Sequence, residues 1–313
     1  MSAWNFETAA VIGTGMMGPG IALTLALGGV RATILSRHPD SAKAGLDKAH
    51  AQLDLLAANN VAPADRAARA HSLLGASADF DAAIASADLV IESAPENMAF
   101  KQDLFARMDS IAKPTAALAS NTSGLSITAI ASGCKQPERV ITTHFWNPPH
   151  LMPLVEIVKG EKTGQSLAEA LKQLLASCGK VPVIVKRDTP GQLGNRLQMA
   201  LVREAMHIVE SGIADVEDVD LVAKNGFGLR LPVYGMFEHQ DVVGLDMGLS
   251  IVDYVSTDLY CEKKAPEILR RKVAAGELGV KSGRGFYDWS VKSADQVKAR
   301  RDAFVLDFLQ RWR

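Results

Sequence analysis

Two apolar periods share the first half of the chain, and only one of them continues into the second. Thr8–Ile12, Arg31–Leu35, Leu89–Glu92, Ala116–Ala119, Val140–His144, Leu154–Val158 and Val181–Val185 are short apolar runs of strand length. Helical patterns lie between them at Met16–Leu27, Asp40–Leu56, Ala62–Leu74, Met98–Ile111, Ser126–Ser132 and Ser166–Ser177. Strand–helix alternation of this kind predicts a doubly wound, mostly parallel sheet with helices on both faces. After Val185 comes a polar joint, Lys-Arg-Asp-Thr-Pro-Gly, and beyond it no further strand is expected. Gln192–Ser211, Val216–Lys224, Met236–Leu259 (broken near Gly244 and Gly248), Ala265–Ala275 and Asp295–Arg311 all read as helices. The expected division is therefore 1–188, an α/β domain, and 189–313, an all-helical domain.

The turn after the first strand is Gly13-Thr14-Gly15-Met16-Met17-Gly18. Glycines in a strand–turn–helix context allow a tight turn and let a pyrophosphate approach the backbone. The helix N-terminus then offers unpaired N–H groups to the phosphates. This predicts a Rossmann-like dinucleotide site involving Gly13, Gly15, Met16, Met17 and Gly18. At the end of the second strand, where an acidic residue selects NAD over NADP, stand Ser36 and Arg37. Both residues can hold a phosphate, so NAD or NADP is expected, with NADP accepted or preferred.

A length of 313 residues suits two domains, and 48% hydrophobic with 22% charged residues is ordinary globular composition. A net charge of −1 gives no reason to expect nucleic acid or an anionic membrane as partner. Three cysteines without metal-ligand spacing suit a reducing, cytoplasmic setting and predict no metal site. No signal segment or membrane-spanning run is expected.

Chemistry concentrates at two strand ends. Ser120-Asn121-Thr122-Ser123-Gly124 follows one strand, and His144-Phe145-Trp146-Asn147-Pro148-Pro149 ends another. Glu156 lies on the next strand, where it can fix the tautomer of His144. Such a base–carboxylate pair suits alcohol oxidation, because the hydroxyl must lose a proton as hydride leaves. His150 is the histidine most easily confused with His144. His239 and Gln240 are candidate polar pocket residues.

In this order, GTGMMG, Pro95-Glu96-Asn97 with Lys101, SNTSG, HFWNPP followed by LVEIV, TPGQLGNR and VKSGRGFYDW resemble the 3-hydroxyacyl-CoA dehydrogenase family over essentially the whole chain. The resemblance implies a helical C-terminal domain that dimerises. It implies His144 as base, Glu156 as its carboxylate, and Ser123 and Asn195 as donors to the substrate oxygen. It also implies cofactor contacts from Glu96, Lys101, Asn147 and Lys281. Two departures stand out: Ser36 replaces the NAD-selecting aspartate, and no lysine occurs between Lys48 and Lys101, where acyl-CoA members place one for the CoA nucleotide. Only Arg66 and Arg69 remain there. The wording is closer to branches acting on small free hydroxy acids, among them gulonate 3-dehydrogenase, carnitine dehydrogenase and a pyridine-carboxylate dehydrogenase of vitamin B6 breakdown. The expected activity is hydride transfer from the CH–OH of a 3-hydroxy acid or 3-hydroxyacyl-CoA to NAD(P)+. Oxidation of a hydrated aromatic aldehyde and a catalytically silent dinucleotide-binding protein are the alternatives.

Overall fold

The computed structural model describes residues 4–312. Its strands are β1 (Thr8–Ile12), β2 (Arg31–Leu35), β3 (Leu74–Ser77), β4 (Leu89–Glu92), β5 (Ala117–Ser120), β6 (Val140–Phe145), β7 (Leu154–Lys159) and β8 (Val181–Val185). They form one sheet in the order β3-β2-β1-β4-β5-β6-β7-β8. All neighbours run parallel except β6 and β7, which are antiparallel.

Period-two alternation separates two apolar clusters. Ala9, Val11, Leu89, Ile91, Ala117 and Ala119 join one, with Ile21, Leu25 and Leu171. Ala10, Val90 and Leu118 join the other, with Phe105, Met108 and Ile130. Alternate residues of one strand thus feed opposite faces, and both faces are covered by helices, which is why the central strands are continuously apolar.

The covering helices are α1 (Gly18–Leu27), α2 (Pro39–Ala58), α3 (Ala64–Leu73), α4 (Phe80–Ser86), α5 (Met98–Ile111), α6 (Ile127–Ile130) and α7 (Gln165–Ser177). Side-chain caps start several of them: Asp79 accepts from Ala82 N, Asn97 from Phe100 N and Ser126 from Ala129 N. β3 and α4 lie outside the elements expected from sequence. Leu-Gly-Ala-Ser has no β-branched residue and no alternation, and it follows an Ala-rich helix without a break. Pairing with β2 at the sheet edge makes it a strand.

The remaining helices are α8 (Gly194–Glu210), α9 (Val216–Asn225), α10 (Phe227–Arg230), α11 (Met236–Val243), α12 (Leu245–Val255), α13 (Glu267–Ala274) and α14 (Ala294–Trp312). Gly244, at φ +100°, separates α11 from α12, whereas Gly248 lies inside α12. The chain divides into two compact units, one through Arg196 together with Ala299 onward, the other Leu197–Lys298. This differs from a single cut near Asp188 at both ends. Asp188 itself is held by the first unit, accepting from Ser126 Oγ (2.5 Å) and Thr128 N (2.9 Å). The end of α14 buries Leu306 and Leu309 in the first unit. No helix among the described residues is long and apolar enough to cross a membrane.

Candidate active site

β1 delivers the glycine turn to the carboxyl edge of the sheet. Gly13 sits at φ +115°, and a β-carbon there would come 2.5 Å from the Ser93 carbonyl oxygen. A β-carbon on Gly18 would strike the Gly13 carbonyl. On Gly15 it would meet no protein atom within 4 Å, so that residue leaves room for a ligand rather than for packing. α1 follows with no side-chain cap and no acid in its first turn. A cavity of about 1120 Å³ opens above, lined among others by Gly13, Gly15, Met16, Met17, Ser36, Arg37, Glu96 and Ser123. Bare helix amides, an open glycine and a cavity of this size fit a dinucleotide. Arg107 also lines it, its guanidinium 4.4 Å above the Phe80 ring, a pair that no motif marks in the sequence.

At the other strand ends, antiparallel pairing sets His144 directly opposite Glu156, so both side chains leave the same face. His144 Nδ1 lies 2.8 Å from Glu156 Oε2, with both residues buried. Glu156 accepts three further bonds: Trp146 Nε1 at 3.1 Å on Oε2, and Leu193 N and Gly194 N at 2.9 and 2.8 Å on Oε1. Burial alone would raise its pKa, but the bonds from His144, Gly194, Trp146 and Leu193 outweigh that and bring it to about 2. Glu156 is therefore a fixed carboxylate. His144 Nε2 has no hydrogen-bond partner among the described residues.

Gln192 aims the two backbone donors. It is buried at φ +54°, and its Nε2 donates to Thr122 O at 2.8 Å. Sequence reasoning missed Gln192 and Trp146, although both stand inside the family's motifs. A β-carbon on Gly194 would clash with the Trp146 indole, so the glycine permits that packing. His150 differs from His144. Burial, then Lys180, lowers its pKa to about 4, and its Nδ1 is buried without a partner.

The Ser123 turn is held from two sides. Asn195 Nδ2 donates to Ser123 O at 2.8 Å, so one amide proton expected for substrate is engaged with this turn. Glu96 Oε1 accepts from Thr122 Oγ1 (2.5 Å) and Ser123 N (3.1 Å). Lys101, expected at the cofactor, is only 1% exposed; its ammonium meets Glu92 Oε1 at 2.5 Å and Glu96 Oε2 at 3.5 Å. A buried ammonium is satisfied in this way, by carboxylates. Glu92, at the end of a strand, gave no signal beyond a polar residue closing an apolar run.

Asn147 is exposed and precedes the cis bond to Pro148. Lys281 lies in the helical unit, on the turn between Gly279 and Gly283, where it lines that unit's own cavity of about 650 Å³. His239 and Gln240 also belong to the helical unit. His239 Nε2 is 2.9 Å from Arg230 Nη2, and the Gln240 amide lies where a β-carbon on Gly248 would be. No group of three or more His, Cys, Asp or Glu that could hold a metal occurs among the described residues.

Residues 8–189 match the model of the 3-hydroxyacyl-CoA dehydrogenase NAD-binding domain, and residues 191–289 match that family's C-terminal domain. The chain belongs to the 3-hydroxyacyl-CoA dehydrogenase family. It is similar to a probable 3-hydroxybutyryl-CoA dehydrogenase of Bacillus subtilis, 38% identical over 91% of this chain and 98% of that protein. It is also similar to 5-formyl-3-hydroxy-2-methylpyridine 4-carboxylate 5-dehydrogenase of Mesorhizobium japonicum, 35% identical over 93% and 94%. A crystal structure of a dehydrogenase of that pyridine carboxylate, described as an NAD+ dependent dismutase, superposes with a TM-score of 0.90 at 32% identity, covering 98% of this chain and 99% of that one. Family membership makes the protein an NAD-dependent dehydrogenase acting on a CH–OH group. It also sets aside the silent dinucleotide-binding alternative.

Proposed function

We propose that the protein oxidises the CH–OH of a small 3-hydroxy acid, with His144 Nε2 taking the hydroxyl proton. The observation that carries this reading is the fully satisfied Glu156 carboxylate on His144 Nδ1. It fixes Nδ1–H as donor, leaves the Nε2 lone pair for the substrate, and stabilises the imidazolium that forms. Bound NAD+ supplies the hydride acceptor. Ser123 Oγ and the remaining amide proton of Asn195 hold the reacting oxygen.

A free acid is favoured over a CoA thioester because cations are few near α2 and α3, and Arg66 is already engaged. Its Nε donates to Leu27 O (2.7 Å) and its Nη2 to Ser177 O (2.5 Å), which leaves Arg69, among the described residues, as the arginine there whose guanidinium has no hydrogen bond. A polyanionic CoA nucleotide needs cations that are free. Likeness to the pyridine carboxylate enzyme supports a second reading, oxidation of a hydrated aromatic aldehyde by the same base. Ser36 and Arg37 on the cavity wall support acceptance of NADP alongside NAD. The helical unit buries no large apolar side chain, which supports a homodimer built on it. Three free cysteines support a cytoplasmic setting.

A cofactor-reduction screen over free 3-hydroxy acids, betaine-like alcohols, aromatic aldehydes and short 3-hydroxyacyl-CoAs tests the substrate. Turnover confined to the CoA thioesters removes the free-acid reading.

A further inference from the structure

We propose that Glu92 is a positioning residue that keeps the Ser123 turn in place by taking the closer share of the Lys101 ammonium, which Glu96 also meets. The inference rests on Ser123 as a donor to the substrate oxygen. Glu92 is fully buried at the end of β4, and it grips the neighbouring strand end as well. Its Oε1 accepts from Lys101 Nζ (2.5 Å) and Ala94 N (2.6 Å), and its Oε2 from Ser120 Oγ (2.6 Å). Ser120 Oγ in turn accepts from Thr122 N at 3.2 Å.

Lys101 stands between two carboxylates, at 2.5 Å from Glu92 and 3.5 Å from Glu96. Glu92 holds the ammonium closely, so Glu96 meets it only through Oε2, at the longer distance, while its Oε1 accepts from Thr122 Oγ1 and Ser123 N. A buried ammonium does not stay unpaired. If the charge of Glu92 is removed, Lys101 turns to Glu96 and draws it away from the turn. The effect falls on Ser123, although Glu92 does not touch Ser123.

The consequence is a particular double-variant result. In Glu92→Gln, amide hydrogen exchange of the segment Asn121–Leu125 in the cofactor-free enzyme accelerates roughly tenfold or more, the worth of a hydrogen bond to a charged group. Turnover of 3-hydroxybutyrate or of 3-hydroxybutyryl-CoA, whichever the enzyme accepts, falls about 10- to 100-fold, the range for a misplaced contact. NADH affinity, read by fluorescence titration, stays near wild type. In Glu92→Gln/Lys101→Met the competing ammonium is gone, Glu96 returns to the turn, and most of the protection and turnover come back. A role limited to fold stability predicts the opposite, a double variant no better than the single one, and that result overturns the inference.

Should Glu92→Gln fail to fold, Thr122→Val cuts the Glu96 bond with the ion pair intact. The same loss of protection is then expected, and unchanged exchange overturns the inference. Ser123→Ala separates the two layers. Full turnover in that variant removes the substrate role of Ser123 and this inference with it. A loss there alongside unaltered Glu92→Gln removes this inference alone.

Discussion

The two compact units bury their apolar side chains to opposite degrees. In the first, strands β4, β5 and β6 are wholly buried and α1 hides nine of its ten residues. In the second, only Gly248 and Pro266 are buried, while Phe237, Val242 and Tyr254 are 87%, 78% and 81% exposed. A unit that leaves so much apolar surface in water lacks the burial that drives folding. His144, Glu156 and the glycine turn all stand on the self-sufficient unit. The difference teaches that the proposed chemistry is pre-organised within one unit, whereas the other exposes the apolar surface on which the proposed homodimer would be built.

The largest expected effect tests the pre-organised half. His144→Gln lowers turnover by about 10²- to 10⁴-fold while cofactor affinity holds, measured by steady-state kinetics and fluorescence titration. Unchanged turnover would remove the mechanism. Next comes acid. The pKa of Glu156, about 2 against an ordinary 4.5, means its stabilisation is complete above 4.5 and lost as pH falls through 2. About 3 kcal/mol should disappear over that window. In Glu156→Gln, denaturation midpoints should follow pH less steeply there, and an identical slope would count against the four-donor arrangement.

A smaller effect probes the other unit. Phe237→Asp should weaken self-association by about 2 kcal/mol, roughly 30-fold in the dissociation constant. Sedimentation at several concentrations reads it directly, and a wild-type protein that stays monomeric at high concentration erases the contrast between the units. Smallest is Arg37→Ala, expected to weaken NADP binding about tenfold with NAD unaffected. Equal changes for both cofactors would make Arg37 a bystander.

Much of this was legible in the residues, for reasons that also explain the rest. Short apolar runs such as the one opening Leu89–Glu92 announce buried strands. Motif glycines announce the turn because a β-carbon there collides or blocks a ligand. The pairing of His144 with Glu156 followed from their positions on consecutive strands. By contrast, β3 exists only through its edge pairing with β2, and α4 is a single short helix capped by Asp79. Lys101 carried a motif's promise, yet its position was decided by Glu92, nine residues away in sequence and visible only once β4 and α5 are assembled. Gln192 needed the knowledge that its backbone is left-handed. Charges buried by tertiary packing leave no periodic trace.

The closing turns of α14 return to the first unit, where Leu306 and Leu309 are buried and Gln310 Nε2 donates to Asn59 O. In topological terms the helical unit is therefore a long excursion from the first one, leaving along α8 and coming home along α14. A chain truncated after Trp289 would keep both family signatures yet strip two leucines from the dinucleotide-binding half. The tail ought to be counted as part of that half's interior.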